Sequence, residues 1–374
     1  EPHSSPGIAL DHSNPNVVYL SKRRINGNLE IYRYETENLG KTWNTQSVTE
    51  NSAYGNVRPY VIRNHPEDGP ALMWEQIHYY QHYTKFNAAI KIDVLRDERN
   101  LSAEKPSARS VRNYMRRVAD WQIKNPSRHH TADWTHGALY AGMTEWAEMA
   151  ADDKYFDYLI EMGERNNWAP HRRKYHADDF TVCQMYLKLY EKYREKKMIE
   201  KTRQRLDWIL KNRSDVEIVP FSGKTQERWS WCDALFMAPP VWAKMAAITG
   251  EKKYENFMIE EWKYTTEKLF DKKENLYYRD SRYFDKREKN GEKVFWSRGN
   301  GWVMGGLVRT MEYLGKDHPQ IGYFENLYKK MARKIASIQQ PDGLWHSSLL
   351  DPETYSTPES SGSGFYLYAL AWGV

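Results

Sequence analysis

The chain has 374 residues, 40% of them hydrophobic, which is length and apolar content enough for a sizeable core in more than one domain. Its 55 Lys and Arg are interspersed with 50 Asp and Glu, so the formal charge of +5 forms no basic stripe for nucleic acid and remains compatible with an acidic small substrate. No run of about 18 apolar residues and no basic-then-apolar leader occurs, so neither a membrane span nor a signal peptide is expected in these residues, as would also hold for a processed secreted protein.

Residues 1–95 alternate polar and apolar in short runs such as NVVYLSK, NLEIYRYE and PALMWEQ, separated by Asn, Gly, Pro and Asp, which predicts strands. This β segment is read as a first domain over 1–100. Within it, TENLGKTW (Thr36–Trp43) resembles the Asp-box hairpin of sialidase-like β-propellers (the BNR repeat), with Thr36 and Asn38 in place of its Ser and Asp. Gly40 is placed to supply a positive φ and Trp43 to pack under the turn, a structural role. The segment has length for only two blades, fewer than the four or more of a closed propeller.

Near residue 104 the apolar period becomes helical, and a second domain is read over 104–374. Helices are predicted at about 107–124, 136–150, 153–166, 178–195, 198–212, 232–248, 252–269, 300–315, 323–339 and 360–372. Paired helices without a fixed repeat length point to a toroid rather than a simple solenoid. Cys183 and Cys232 both sit in apolar helical patterns and are read as buried thiols, too few for a disulfide framework or a cysteine zinc site. The 15 Trp and 27 Tyr fit either an aromatic core or surfaces on which sugar rings stack.

Acids next to aromatic residues at helix openings are the candidates for chemistry. In YHADDFTVCQ one of Asp178 and Asp179 is explained as a helix cap; two acids behind His176 exceed what capping needs. In WSWCDALF Asp233 is either a cap or an acid desolvated among Trp229, Trp231 and Phe236, where the protonated form of a general acid is favoured. FWSRGNGWVMGG gathers Trp296, Arg298 and Trp302 around glycines that would let backbone approach a ligand, with Arg298 able to fork onto a carboxylate or to serve a structural ion pair. Glu359, Ser360 and Ser361 are explained as caps. Adjacent His129 and His130 lack a third ligand at metal spacing, and GNGWVMGG lacks the strand and Lys of a phosphate loop, so no metal and no cofactor is expected.

Taken in order, DWTHGALYAGM, HADDFTVCQMYLKLY, WSWCDALFMAPP, LYYRDSRYF, FWSRGNGW, DGLWHSSLLDP and PESSGSGFYLYALAWG resemble glycoside hydrolase family 105, the unsaturated rhamnogalacturonyl hydrolases, related to the unsaturated glucuronyl hydrolases of family 88. The resemblance spans about residues 104–374. It implies a mainly α fold, an (α/α)6 barrel, here behind a small all-β segment foreign to the minimal family. About ten helices are read where the family has twelve, so the last pair is expected to be missing from these residues.

The resemblance also implies roles. Asp233, in the W-x-D-x-L-[FY]-M context, corresponds to the general acid and base; Asp178 lies across the site and supports the chemistry; Asp179 is its neighbour. Trp134 and His136 line the entrance, and His176, Trp231, Trp296, Arg298 and Trp302 meet the sugar. Where many members have His in LYYH, this chain has Arg279, a permanent cation that suits a carboxylate or a sulfate. The implied substrate is an acidic oligosaccharide left by a lyase, of rhamnogalacturonan or ulvan type, whose unsaturated end sugar is removed by hydration of its C4=C5 bond, a reaction unlike attack at the anomeric carbon. A periplasmic or secreted bacterial location follows from that substrate type. A non-catalytic carbohydrate-binding protein, an α/α-barrel epimerase using His residues, and a hydrolase of saturated substrates stay as alternatives.

Overall fold

The computed structural model describes residues 7–12, 14–23, 27–63, 72–82, 85–92, 108–150 and 152–374; the predicted change of pattern near residue 104 lies outside the described residues. The chain forms two units, Glu1–Val118 and Ala119–Val374.

In the first unit the alternating runs are strands. β1 (Ile8–Leu10), β2 (Val17–Arg23), β3 (Leu29–Glu35) and β4 (Asn44–Ser47) form an antiparallel meander, and β5 (Gly55–Val61), β6 (Leu72–His82) and β7 (Lys85–Ile92) form a second antiparallel sheet. The period of two sends Val17, Tyr19, Ile31, Val61 and Leu72 into one buried cluster, with Ala9, Val48 and Trp74 packed against it. The hairpin read from TENLGKTW joins β3 to β4. Thr36 Oγ1 accepts from the Gly40 N–H at 2.9 Å and Asn38 Oδ1 from the Thr42 N–H at 2.8 Å, so both side chains close the turn. Gly40 has φ +86°, and a Cβ there would lie 3.5 Å from Trp43, which packs under the turn while staying 42% exposed.

All ten predicted helical segments are found. They are α1 (Ala108–Lys124), which crosses the boundary between the units, α2 (Trp134–Ala150), α3 (Lys154–Arg165), α4 (Cys183–Tyr193), α5 (Lys197–Lys211), α6 (Ala234–Met237), α7 (Pro239–Thr249), α8 (Lys252–Leu269), α9 (Ser297–Leu314), α10 (Ile321–Ser337) and α11 (Ser360–Trp372). Two segments differ from a single helix. A 3-10 turn, Ala177–Phe180, precedes α4. Pro239 and Pro240, which have no N–H to give an i−4 carbonyl, end α6 and open α7.

In the second unit α2, α4, α7, α9 and α11 follow one another as an inner layer, and α3, α5, α8 and α10 pack on them from outside. Burial follows from sequence. α9 is apolar or small nearly all round and is buried from Ser297 to Met311 apart from Arg298, whereas α5 and α10 bury one stripe and turn Lys, Arg and Glu outward. Because each inner helix is reached through an outer one, the inner helices start at a common end. A short hairpin, β8 (Phe270–Asp271) and β9 (Leu276–Tyr277), carries the chain from α8 towards that end. Cys183 and Cys232 are buried free thiols, as expected.

Candidate active site

The segments opening the inner helices enclose a cavity of about 290 Å³. Trp134 enters it from the first residue of α2, His176 and Asp178 from the turn before α4, and Trp231 and Asp233 from the residues before α6. Trp296, Arg298 and Trp302 come from the start of α9, and Arg279 from the segment after β9. Residues far apart in sequence thus meet because parallel helix starts meet. The positive ends of these helices favour an anion there.

Asp233 holds the N-cap position of α6, yet its side chain makes no capping hydrogen bond, so capping does not account for it. The Cys232 thiol approaches Asp233 Oδ2 at 3.5 Å. Burial pushes the Asp233 carboxyl up, opposed first by Arg279 and, more weakly, by its own backbone amide, Cys232 and Arg298. Asp178 is pushed up to about 7, by burial first and by the charge of Asp233 second, against the pull of Arg173. Each acid raises the cost of ionising the other, so the two titrate as a coupled pair. His176 stacks on Trp231 with ring centroids 4.8 Å apart, and its Nδ1 lies 3.7 Å from Asp178 Oδ2. Burial, and then Arg173, push His176 down to about 4, so it is a neutral ring near pH 7.

Two expected site residues stand behind the cavity wall. Asp179, 2% exposed, accepts from Arg173 Nη2 and the Arg173 backbone N–H, each at 2.5 Å, and from Nε at 3.0 Å. It holds Arg173, whose side chain lines the cavity. His136 is buried, with Nε2 3.2 Å from the Ser127 carbonyl and Nδ1 3.3 Å from the Tyr140 hydroxyl, and is not among the lining residues.

The aromatic and basic residues are arranged in contact. Trp134 meets Trp302 edge-on at 6.0 Å, and Trp302 packs on Phe236 and Phe365. The Arg298 guanidinium lies over Trp296 at 4.5 Å and 4.0 Å from Glu359, which caps α11 through the Ser361 and Gly362 N–H groups. Most other tryptophans, including Trp242 and Trp262, are core, whereas Trp134, Trp296 and Trp302 line the cavity. The glycines of α9 serve packing rather than approach to a ligand: a Cβ on Gly299 would lie 3.0 Å from Cys232 Sγ, and one on Gly306 2.2 Å from the Leu235 carbonyl oxygen.

Sequence reasoning missed Arg173, Phe221, Gln226 and Met237 in this wall. It also missed a second cavity of about 450 Å³ that shares Arg279, Trp296 and Arg298 with the first. The rest of its wall includes Tyr283, Glu288, Ser348 and Tyr355, with the Ser348 hydroxyl donating to Glu288 at 2.6 Å. Arg173 had a signal, a guanidinium five residues before paired acids. The loop residues of the second cavity carry none.

An unsaturated 3S-rhamnoglycuronyl hydrolase of Formosa agariphila is 40% identical over 274 residues, 70% of this chain and 72% of that protein. One from Alteromonas sp. strain LOR is 36% identical over 281 residues, 69% of this chain and 68% of that protein. The structure of a glycosyl hydrolase family 88 protein from Bacteroides vulgatus superposes with a TM-score of 0.60 at 25% identity, covering 70% of this chain and 78% of that one. The helical unit thus has the expected (α/α)6-type barrel fold, behind a small antiparallel β segment. With the family model described as Glycosyl Hydrolase Family 88 matching residues 107–374, this chain belongs to glycosyl hydrolase family 88.

Proposed function

We propose that the chain releases the unsaturated 4-deoxy-hex-4-enuronosyl residue from the non-reducing end of lyase-generated oligosaccharides, of ulvan or rhamnogalacturonan type, by hydrating the C4=C5 bond. The observation that carries this reading is that Asp178 and Asp233 line one cavity together with Arg279, Arg298 and tryptophan faces. Both acids have raised proton affinity. The names of the two relatives support a rhamnose-linked uronyl substrate.

The residues then divide the work. Trp134, Trp296 and Trp302 hold the sugar ring, and Arg279 and Arg298 meet its carboxylate. These two guanidiniums are also what hold the Asp233 proton affinity down. A substrate carboxylate between them offsets their charge and so favours the proton on Asp233. Asp233 gives that proton to C4, and the positive charge that develops at C5 and the ring oxygen is met by Asp178, now ionised. Water adds at C5 and returns a proton to the carboxylate pair. The resulting hemiketal opens at the C5–O5 bond, and the hemiacetal left at C1 expels the leaving sugar as its alcohol. The 450 Å³ cavity beyond Arg279 takes that leaving sugar, with Arg279 or Arg298 able to meet a sulfate on it.

An epimerase would place paired His residues as acid and base, but among the described residues His176 is the one histidine that lines the cavity, and it is held neutral. The test follows the ultraviolet absorbance of the conjugated enol-ether acid on lyase-generated ulvan and rhamnogalacturonan oligosaccharides. Loss of absorbance is expected with one of them and names the polysaccharide. Wild-type turnover by Asp233→Asn, or cleavage of analogues whose double bond has been reduced, would sink the proposal.

A further inference from the structure

We infer that Asp280 is a positioning residue: it holds the Arg279 guanidinium at the seam between the two cavities, where that guanidinium meets the anionic groups of the substrate. This rests on the activity proposed above and goes beyond it in naming a residue that touches neither cavity.

Arg279 is a long, flexible cation that lines both cavities, and a side chain of that kind ordinarily samples many rotamers. Here it is tied down. Its Nη1 donates to Asp280 Oδ2 at 2.8 Å. Asp280 is fully buried and accepts from three further groups: the Arg282 backbone N–H at 3.0 Å, Arg282 Nε at 2.8 Å and Arg282 Nη2 at 2.8 Å. Arg282 therefore makes the two-pronged pair that locks the carboxylate in place, and Arg279 takes the oxygen position that remains. One acid shared between two guanidiniums leaves a surplus positive charge, and that surplus sits on the side chain that faces the cavities.

The backbone around Asp280 reinforces the same geometry. The Arg279 carbonyl accepts from the Cys232 N–H at 2.8 Å, one residue from Asp233. The Ser281 hydroxyl accepts from the Phe221 N–H at 2.8 Å, and the Arg282 guanidinium lies 4.1 Å over the Phe221 ring, part of the first cavity's wall. Residues 279–282 thus connect the general acid's segment, the anion-binding Arg279 and one aromatic wall. Asp280 is the group at the centre of that knot, and adjacency in sequence alone would not set it there.

The experiment measures kcat and KM on an unsaturated uronyl disaccharide for the wild-type chain, Asp280→Asn, Arg279→Ala and the double variant. Asp280→Asn is expected to raise KM roughly tenfold, with KM carrying the larger share of the loss in kcat/KM, because the contact to the substrate anion is what Asp280 holds in place. In the Arg279→Ala background the same change is expected to add less than about twofold, since its effect runs through Arg279. An unchanged KM for Asp280→Asn, or equal KM effects in both backgrounds, overturns the inference. Should Asp280→Asn not fold, Arg279→Lys reads the bond from its other side: one ammonium cannot reach both Asp280 and the seam, and a wild-type KM for it defeats the inference. Turnover by the wild-type chain tests the activity, whereas KM ratios among variants test Asp280, so the two failures read differently.

Discussion

In the later turns of the inner helices Lys244 meets Glu191 at 2.5 Å, Arg309 lies 3.4 Å from Glu145, and Lys188 lies 3.4 Å from Glu148. At the starts of the same helices the Arg173 guanidinium stands 3.9 Å from Asp178, and Arg173 already belongs to Asp179. One end of the layer therefore pairs its partly buried charges, whereas at the other neither Asp178 nor Asp233 accepts a hydrogen bond from a cation among the described residues. The difference separates charge kept for stability from charge kept for chemistry: an acid whose proton affinity is raised by burial costs the fold something at neutral pH and gains the ability to give up a proton.

The largest effect tests the unpaired end. Asp233→Asn is expected to lower kcat about 10³-fold without lowering the melting temperature, because it removes the proton donor and no structural hydrogen bond of a cap. Next, Asp178→Asn is expected to lower kcat about 10²-fold and to raise the melting temperature at pH 8 by about 5 °C. The sign follows from an affinity raised from 3.8 to about 7 on folding. The native state binds the extra proton, so stability falls as pH rises through that window and is lowest above it. At pH 5 the same variant should change the melting temperature far less, and equal shifts at both pH values would break the contrast.

At the paired end the pattern should invert. Arg309→Met, at a side chain that is buried while its partner Glu145 is 42% exposed, is expected to cost about 1–2 kcal/mol of stability with kcat within twofold. Denaturant unfolding and the ultraviolet assay read the two quantities separately. The smallest effect belongs to Lys188→Met, whose acids Glu145 and Glu148 are 42% and 53% exposed; under about 1 kcal/mol is expected. A loss of activity in either variant would show that the two ends are coupled.

The outer helices were legible because burying one stripe of each leaves a 3.6-residue period in the chain, the inner ones because Gly, Asp and Pro connectors bound their apolar runs, and every predicted segment has its counterpart. The break inside 232–248 could have been read from Pro239 and Pro240, since the missing N–H groups forbid a continuous helix. Asp178, Asp233 and Arg298, at helix starts, were legible for the same reason, since such an element marks its own beginning, whereas Trp134 came only with the family resemblance. Phe221, Gln226 and Tyr283 were not, because irregular segments have no period and reach the cavity only through tertiary contacts. Asp179 and His136 stood in motifs as plainly as their neighbours did. Which of two adjacent acids faces the cavity is set by the 3-10 turn at Ala177–Phe180, which aims Asp179 at Arg173 and leaves Asp178 in the wall.

The size of the first cavity has a kinetic meaning. At about 290 Å³ it has room for one sugar ring. A protein that admits a single terminal residue responds to the molar supply of chain ends and is indifferent to the mass of polymer behind them. Each cut that an upstream lyase makes in a long chain then creates one new starting point for this enzyme, and its velocity at a fixed weight of polysaccharide should climb in step with the number of cuts.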